Sequence, residues 1–172
     1  MDNRGLICYI IISSLFAGCQ NNEPTPQHDN TKRTHDTITN RTPRDPRILT
    51  EAELTDDSVF NDGSIPSSWQ TAGITDSVRV KQFIRQLQIW VAGNHSDSIS
   101  PHLLYPMKNP GIQNAADFKK NYQTYFNEAV KTAVMSQKLN QVFRNQYGVM
   151  LGEGRLWLTE KDNNILIAAI NN

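Results

Sequence analysis

Apolar residues recur at helical spacing at the start of the C-terminal half of the chain. They are Val80, Phe83, Ile84, Leu87, Trp90 and Val91. This period predicts an amphipathic helix, which Thr75 or Asp76 can cap at its start and Gly93 can end. A second, short helix is predicted over residues 98–104, where Pro101 falls early enough to be tolerated.

The next residues predict a turn-closed strand and then a third helix. The segment "LLYPMKNPG" is typical of a short strand closed by an Asn-Pro-Gly turn. The third helix is predicted to begin at Asn114, its cap, with Asp117 as a capping partner, and Val134 indicates that it continues or restarts up to about Ser136. The residues expected on its apolar face are Phe118, Tyr122, Tyr125, Phe126 and Val130.

After Gln137 the period changes from helix to strand. The stretches "QVFRNQYGVML", "GRLWLTE" and "NILIAAIN" are rich in aliphatic and aromatic residues and are separated by Gly-Glu-Gly and Asp-Asn-Asn turn signals. They predict the strands of an antiparallel meander. Because the helices come first and the sheet last, the predicted fold class is α+β, in one domain of residues 75–172.

Residues 19–74 are mostly amides, hydroxyls, charges and prolines. Such a segment buries too little apolar surface to offset its ordering entropy, so it is predicted to be a disordered tether. As a coil of about 50 residues it would span roughly 40 Å. Within it, "TEAEL" fits a capping box at Thr50 and Glu53. Four apolar residues in the second half of the tether leave docking on the domain as the open alternative: Val59, Phe60, Ile65 and Trp69.

An apolar run, Leu6 to Phe16, precedes "AGC" near the start of the chain. The run is too short for the roughly 20 residues that cross a bilayer but has the length of a signal-peptide core. "FAGC" resembles the lipobox of bacterial lipoproteins. This resemblance implies a signal peptide over residues 1–18, cleavage between Gly18 and Cys19, and acylation of Cys19, which anchors the chain in membrane lipid. Gln20 after the cysteine implies the outer membrane, with the domain facing the periplasm or the cell surface.

Both cysteines of the chain, Cys8 and Cys19, are assigned to the signal and to the lipid anchor. The mature protein is therefore predicted to contain no intramolecular disulfide. The formal net charge is zero. No basic field is present that would favour nucleic acid as a partner.

The sequence offers few candidates for catalysis, and we predict none. Asp117 occupies a capping position, Glu153 lies between two turn glycines, and Glu128 fits a solvated helix face. His95, Asp97 and His102 match no familiar ligand spacing, so no metal is predicted. There is also no phosphate-binding loop and no nucleophile elbow, and no cofactor is expected.

Four residues are the candidate contacts for a ligand or partner: Tyr105, Tyr147, Arg155 and Trp157. The polar ends of the aromatic residues need partners if they are buried. Arg155 and Trp157 alternate on one predicted strand, so both could point into the concave side of the sheet. The competing interpretation is ordinary core packing for the aromatic residues and an exposed strand position for Arg155.

The order of elements resembles the cone-shaped roll of the nuclear transport factor 2-like, or cystatin-like, superfamily. The residues that carry this resemblance are "YP", "DFKKNYQTYF", "GVMLGEGRLWL" and "ILIAAIN", within residues 75–172. It implies a curved antiparallel sheet wrapped on helices, with a pocket between them. Relatives of this roll often pair through their sheets, which makes a homodimer one expectation.

The predicted function is non-catalytic binding of a periplasmic or envelope protein by a lipid-anchored domain, as an immunity or inhibitor protein or a secretion accessory. The alternative is a small-ligand-binding protein or an acid-base pocket enzyme of the nuclear transport factor 2-like type. The two predict different structures: a deep cavity with a buried carboxylate for the enzyme, and an exposed apolar or charged patch for the binding protein.

Overall fold

A computed structural model describes Asp45 and residues 48–172, and these form an α+β unit of helices followed by a four-stranded antiparallel sheet. The helices are α1 (Glu51–Leu54), α2 (Ser77–Ala92), α3 (Ser96–Ile99), α4 (Ala115–Lys120), α5 (Tyr122–Tyr125) and α6 (Glu128–Ser136), with a 3₁₀ turn at Ser100–His102. The strands are β1 (Phe143–Asn145), β2 (Gly148–Leu151), β3 (Leu156–Lys161) and β4 (Asn164–Ile170). No helix in the described part of the chain is both long and apolar enough to cross a bilayer.

Helix α2 is the predicted first helix, with its predicted ends. The Asp76 side chain caps it by accepting a hydrogen bond from the Arg79 backbone N–H, and Gly93 is its C-cap. Its inward face carries Val80, Ile84, Leu87 and Val91, all at 2% exposure or less. Helical spacing alone therefore placed this element correctly.

The predicted third helix is three helices in the structure. Asn114 caps α4 as expected, and the Asn127 side chain caps α6 by accepting from the Val130 N–H. Between them, Asn121 donates its side-chain amide to the Asp117 carbonyl oxygen and interrupts the helical period. Asparagine side chains compete in this way with backbone hydrogen bonds. The predicted apolar face is nevertheless buried or partly buried along its whole length.

The two segments on either side of residue 104 differ from their predictions. The predicted helix over 98–104 is α3 followed by the 3₁₀ turn. The predicted strand in "LLYPMKNPG" is only two isolated bridges, Leu103 with Ile167 and Met107 with Ile112. Proline has no backbone N–H to donate to a ladder, which explains why this segment forms no continuous strand.

The predicted first strand is a hairpin of β1 and β2. The Asn145 side chain accepts the backbone N–H of Tyr147 in the turn, and Gly148 resumes the ladder with φ +124°. The Asp-Asn-Asn signal is the β3–β4 turn, where Asp162 and Asn163 both have positive φ, as a tight hairpin requires. The strand order is β1-β2-β3-β4, as expected for a meander.

The two faces of the sheet differ in burial. Val149 pairs with Leu158 and Leu151 pairs with Leu156, and all four side chains are fully buried beneath the helices. The alternate positions form the other face and are only partly buried. They include the cross-strand row Phe143, Met150, Trp157 and Ala169.

Residues 48–74, here called the strap, pack on the domain, which answers the question left open by the sequence. Leu49, Ala72 and Ile74 belong to the buried core, and Trp69 packs against it. Phe60 is also buried, whereas Val59 and Ile65 are 52% and 77% exposed. The packed region thus begins before the predicted domain start at residue 75. The predicted signal peptide, Cys19 and most of the remaining tether lie outside the described residues.

Candidate protein-binding groove

The predicted contact residues are divided between the helical layer, which holds Tyr105, and the sheet with its turns, which holds the other three. Tyr147 is in the β1–β2 turn and is 75% exposed. Arg155 is exposed in the β2–β3 turn, where its Nη1 lies 3.3 Å from the Asn171 carbonyl oxygen. Trp157 faces away from the core, because its neighbours on β3 are the fully buried Leu156 and Leu158. Trp157 therefore does not point towards the helices.

Tyr105 belongs to the helical layer. Its hydroxyl donates to the Ser100 carbonyl oxygen at 3.0 Å, which gives the buried polar end a partner. Burial is the main cause that raises the pKa of Tyr105. The homodimer expected from pairing of two sheets stays a prediction.

The acid-base candidates do not enter a buried pocket. The Glu128 side chain is 90% exposed, and Glu153 occupies an exposed turn with φ +56°. Asp117 accepts hydrogen bonds from the Gln113 backbone N–H and the Asn121 side chain, so it is used in local helix capping. Within the described residues, no group of three His, Cys, Asp or Glu side chains is placed to hold a metal ion.

A buried ion cluster, which the sequence analysis missed, holds the strap in place. Lys81 is fully buried on α2, and its Nζ donates to the carbonyl oxygens of Glu53 and Leu54 at 2.8 Å each. These are the orphan carbonyls at the C-terminal end of α1, which a cation stabilises. The same Nζ lies 2.8 Å from Asp56 Oδ1.

Arg144 on β1 joins the cluster from the sheet. Its Nη2 donates to Asp56 Oδ2 at 2.9 Å, its Nε donates to the Ser67 carbonyl oxygen at 2.7 Å, and its guanidinium lies 4.1 Å from the centre of the Trp69 ring. The Trp69 indole N–H also donates to Asp56 Oδ2, at 2.7 Å. Burial lowers the pKa of Arg144, and the Asp56 carboxylate opposes that shift. Asp56 therefore links the strap to both α2 and the sheet.

Helix α1 is also fixed at its start. Thr50 and Glu53 form the predicted capping box, and Arg85 of α2 pairs with the Glu53 carboxylate. The backbone N–H of Thr50 is the main cause that lowers the pKa of Glu53. A helix of one turn is unstable alone, so these contacts and Lys81 are what set its position.

The fixed strap and the outward side of α2 enclose an open groove of about 680 Å³. Its apolar lining consists of Ile48, Leu49, Leu54, Val78 and Phe83. Ile48 is 58% exposed, and Leu54 and Val78 are each 41% exposed. Large apolar side chains exposed together in a concavity are typical of binding sites for partners.

The polar side of the groove carries little that could do chemistry. Among the residues that the structure describes, Gln82 and Gln86 supply amides, and the ionisable lining residues are Asp45 and Arg79. Arg79 is held by Glu160 at 2.9 Å and by the Asn163 carbonyl oxygen at 2.8 Å. The groove thus suits binding of apolar side chains with amides at its edge.

An aromatic cluster borders Phe83 of the groove. His102 stacks on Trp90 with 5.0 Å between ring centres and meets the Phe83 ring at 5.2 Å. Burial among these rings lowers the pKa of His102 below its usual 6.5. The unfolded chain therefore binds the proton more readily than the folded one, and stability falls as the pH drops below about 6.5.

We expect His102→Phe to reduce this loss of stability, since Phe keeps the ring contacts and does not titrate. The measurement is the urea midpoint at several values between pH 7.5 and pH 5. His95→Gln, at an exposed histidine, is the matched control and should keep the wild-type pH profile. An unchanged pH profile in His102→Phe would contradict the assignment.

Comparisons of this chain with known protein families, curated proteins and solved structures find no match.

Proposed function

We propose that this chain is a bacterial lipoprotein whose domain binds a protein partner in the groove between the strap and α2, without catalysis. The groove is the observation that carries the proposal. Its apolar side chains are exposed to water, which is unfavourable, and a bound partner would cover them. An immunity, inhibitor or secretion-accessory role fits such a domain. The order of helices before an antiparallel sheet supports the finer proposal of a nuclear transport factor 2-like roll.

The lipid anchor is the second part of the proposal and rests on "FAGC" at residues 16–19. We expect Cys19→Ala to prevent acylation, so the variant should leave the outer-membrane fraction of bacterial cells. Cys8→Ala, within the predicted signal, is the control and should fractionate as the wild type does. Sedimentation of Cys19→Ala with outer membranes would refute the anchor without affecting the groove.

Site-specific photo-crosslinking in cells tests the groove. A benzophenone amino acid at Val78, inside the groove, should give a discrete adduct with one protein. The same group at Ile65, which is apolar, 77% exposed and outside the groove lining, should not give that adduct.

A second substitution shows whether the adduct depends on the groove. Leu54→Gln, combined with the probe at Val78, removes apolar lining while adding no charge, so it should abolish the adduct. An adduct of equal yield at Ile65, or one insensitive to Leu54→Gln, counts against binding in the groove.

A further inference from the structure

A second pocket, of about 240 Å³, lies where the strap meets the β1–β2 hairpin and the β2–β3 turn. It shares no lining residue with the groove. Its apolar lining is Phe60 of the strap and the cross-strand pair Phe143 and Met150. The volume is smaller than the roughly 300 Å³ at which pockets for drug-sized ligands begin, so the pocket suits a chain of few atoms.

The turn of the strap at residues 60–64 fixes one side of this pocket. The Phe60 N–H donates to the Ser64 carbonyl oxygen at 2.8 Å, and the Gly63 N–H donates to the Phe60 carbonyl oxygen at 2.9 Å. Phe60 is buried at 7% exposure, whereas Asp62 in the same turn is exposed. The turn therefore contributes both an aromatic residue and an acid to one pocket.

The ionisable residues of the described lining are both acidic: Asp62 in the strap and Glu153 in the β2–β3 turn. Among the described residues, neither has a cation within ion-pair distance. The Ser64 hydroxyl and backbone N–H, which donate to the Asp62 carboxylate, lower the pKa of Asp62. The pocket thus carries negative charge from two sides at neutral pH.

The neighbouring charges do not neutralise the two acids. The basic residues next to the lining in the sequence are Lys138, Arg144 and Arg155, and none of them lines the pocket. Arg144 is paired with Asp56 in the buried ion cluster, at 2.9 Å. A third carboxylate, that of Asp57, accepts from a lining glutamine at 2.7 Å and has no cation within ion-pair distance in the described part of the chain.

The lining glutamines have already used their N–H groups within the protein. Gln137 Nε2 donates to two backbone carbonyl oxygens, at 2.9 and 2.8 Å. Gln141 Nε2 donates to Asp57 Oδ2 at 2.7 Å and to Asn61 Oδ1 at 2.9 Å. Of the side-chain groups described here, the spare ones are therefore mostly acceptors, namely Gln141 Oε1 and carboxylate oxygens, and the Asn61 amide is the exception. Such a lining needs a ligand that donates hydrogen bonds.

We propose that this pocket binds an alkylammonium ion. Its methylene chain packs on Phe60, Phe143 and Met150, and its ammonium group donates to the carboxylates of Asp62 and Glu153. A lysine side chain has this combination of an apolar stem and a charged end. Hydrogen bonds between opposite charges are roughly twice as strong as neutral ones, so charge decides the selectivity of the site.

Methionine methyl signals test the binding directly. Residues 19–172 carrying Cys19→Ser, labelled with ¹³C in the methionine methyl groups, are titrated with n-pentylammonium chloride and followed by NMR. The Met150 signal should move and saturate at millimolar concentration, because a probe of so few atoms has modest affinity. The signal of Met135, which is 46% exposed and outside the lining, should not move.

Two analogues of the probe separate charge from apolar contact. The alcohol n-pentanol keeps the chain without the charge and should bind about fivefold more weakly. The ion n-pentyltrimethylammonium keeps the charge, has no N–H to donate, and should bind about threefold more weakly. Added sodium chloride should weaken binding of n-pentylammonium and leave that of n-pentanol unchanged.

Neutral substitutions locate the ammonium group. Glu153→Gln and Asp62→Asn keep the shape of each side chain and should each weaken n-pentylammonium about threefold. Asp162→Asn, in the exposed β3–β4 turn and outside the lining, is the matched control and should leave the affinity unchanged. The signal of Met107, which is 3% exposed, reports whether each variant keeps its core.

A blocked lysine, Nα-acetyl-lysine methylamide, distinguishes two sources of the amine. Affinity equal to that of n-pentylammonium would assign the pocket to a lysine of a partner protein. Lower affinity would assign it to a free aliphatic amine.

Three results would overturn the inference. They are equal affinity for n-pentanol and n-pentylammonium, a Met150 shift that does not saturate or is matched at Met135, and affinity that survives Glu153→Gln combined with Asp62→Asn. The groove takes no part in these measurements. The inference therefore fails or holds independently of the proposed function.

Discussion

Replacing Asp56 with Ala is expected to destabilise the domain by about 3 kcal/mol, because removing one member of a buried ion pair leaves the other buried without a counter-charge. Lys81 and Arg144, at 0% and 5% exposure, would lose the carboxylate that lies between them. The value is at the lower end of the range for such changes because the Asp56 side chain is itself 24% exposed. The measurement is the free energy of unfolding in urea.

The matched control is Asp62→Ala. Asp62 is also an acid of the strap, but it is exposed and its carboxylate accepts only from the neighbouring Ser64 among the described residues. We expect its free energy of unfolding to change by less than about 1 kcal/mol. Equal effects of the two substitutions would show that the cluster does not stabilise the strap.

Hydrogen exchange can separate release of the strap from unfolding of the whole domain. In Asp56→Ala, the amides of Ala72 and Ile74, which donate within the strap to the Trp69 carbonyl oxygen, should exchange faster. Amides of the β3–β4 ladder should keep more of their protection, because local openings cost less than global unfolding. Equal acceleration in both places would mean that the strap and the sheet unfold together.

The sequence predicted the elements whose determinants are local. The period of Val80, Ile84 and Leu87 and the capping side chain of Asp76 lie within one helix, so one window contains them. Asn121 and Asn127 divide the third helix by hydrogen bonds that are equally local. The positions of these asparagines in the sequence therefore indicate where the helix is divided. The hairpin in "QVFRNQYGVML" was likewise signalled by Asn145 and Gly148.

Local pattern left the docking of the strap open and could not show how it is attached. Its attachment depends on Asp56 meeting Arg144, which is 88 residues away in the chain. A further local sign, besides the apolar Phe60 and Trp69, was Lys81, a cation within the apolar stripe of α2, where a lysine is rare unless it is paired. The same limit applies to the groove, because Ile48, Leu54 and Val78 are isolated apolar residues until the fold brings them together.

Gly148→Ala should destabilise the domain by about 3 kcal/mol or more, which places it among the large single-residue effects. Gly148 has φ +124°, a conformation that side-chain-bearing residues rarely adopt, and an added Cβ would lie 2.5 Å from the Leu158 carbonyl oxygen. That oxygen is backbone in β3, so it cannot move aside without separating β2 from β3. The expected fall in melting temperature is about 10 °C.

Gly63→Ala separates the clash from backbone strain. Gly63 also has positive φ, +81°, but no heavy atom lies within 4 Å of its Cβ position. Gly63→Ala should therefore lower the free energy of unfolding by only about 1 kcal/mol, which is the cost of the left-handed conformation for alanine. The excess loss in Gly148→Ala then measures the close approach of β2 to β3. If the two variants have the same melting temperature, the sheet tolerates a side chain at position 148. The spacing of β2 and β3 would then not be what requires glycine there.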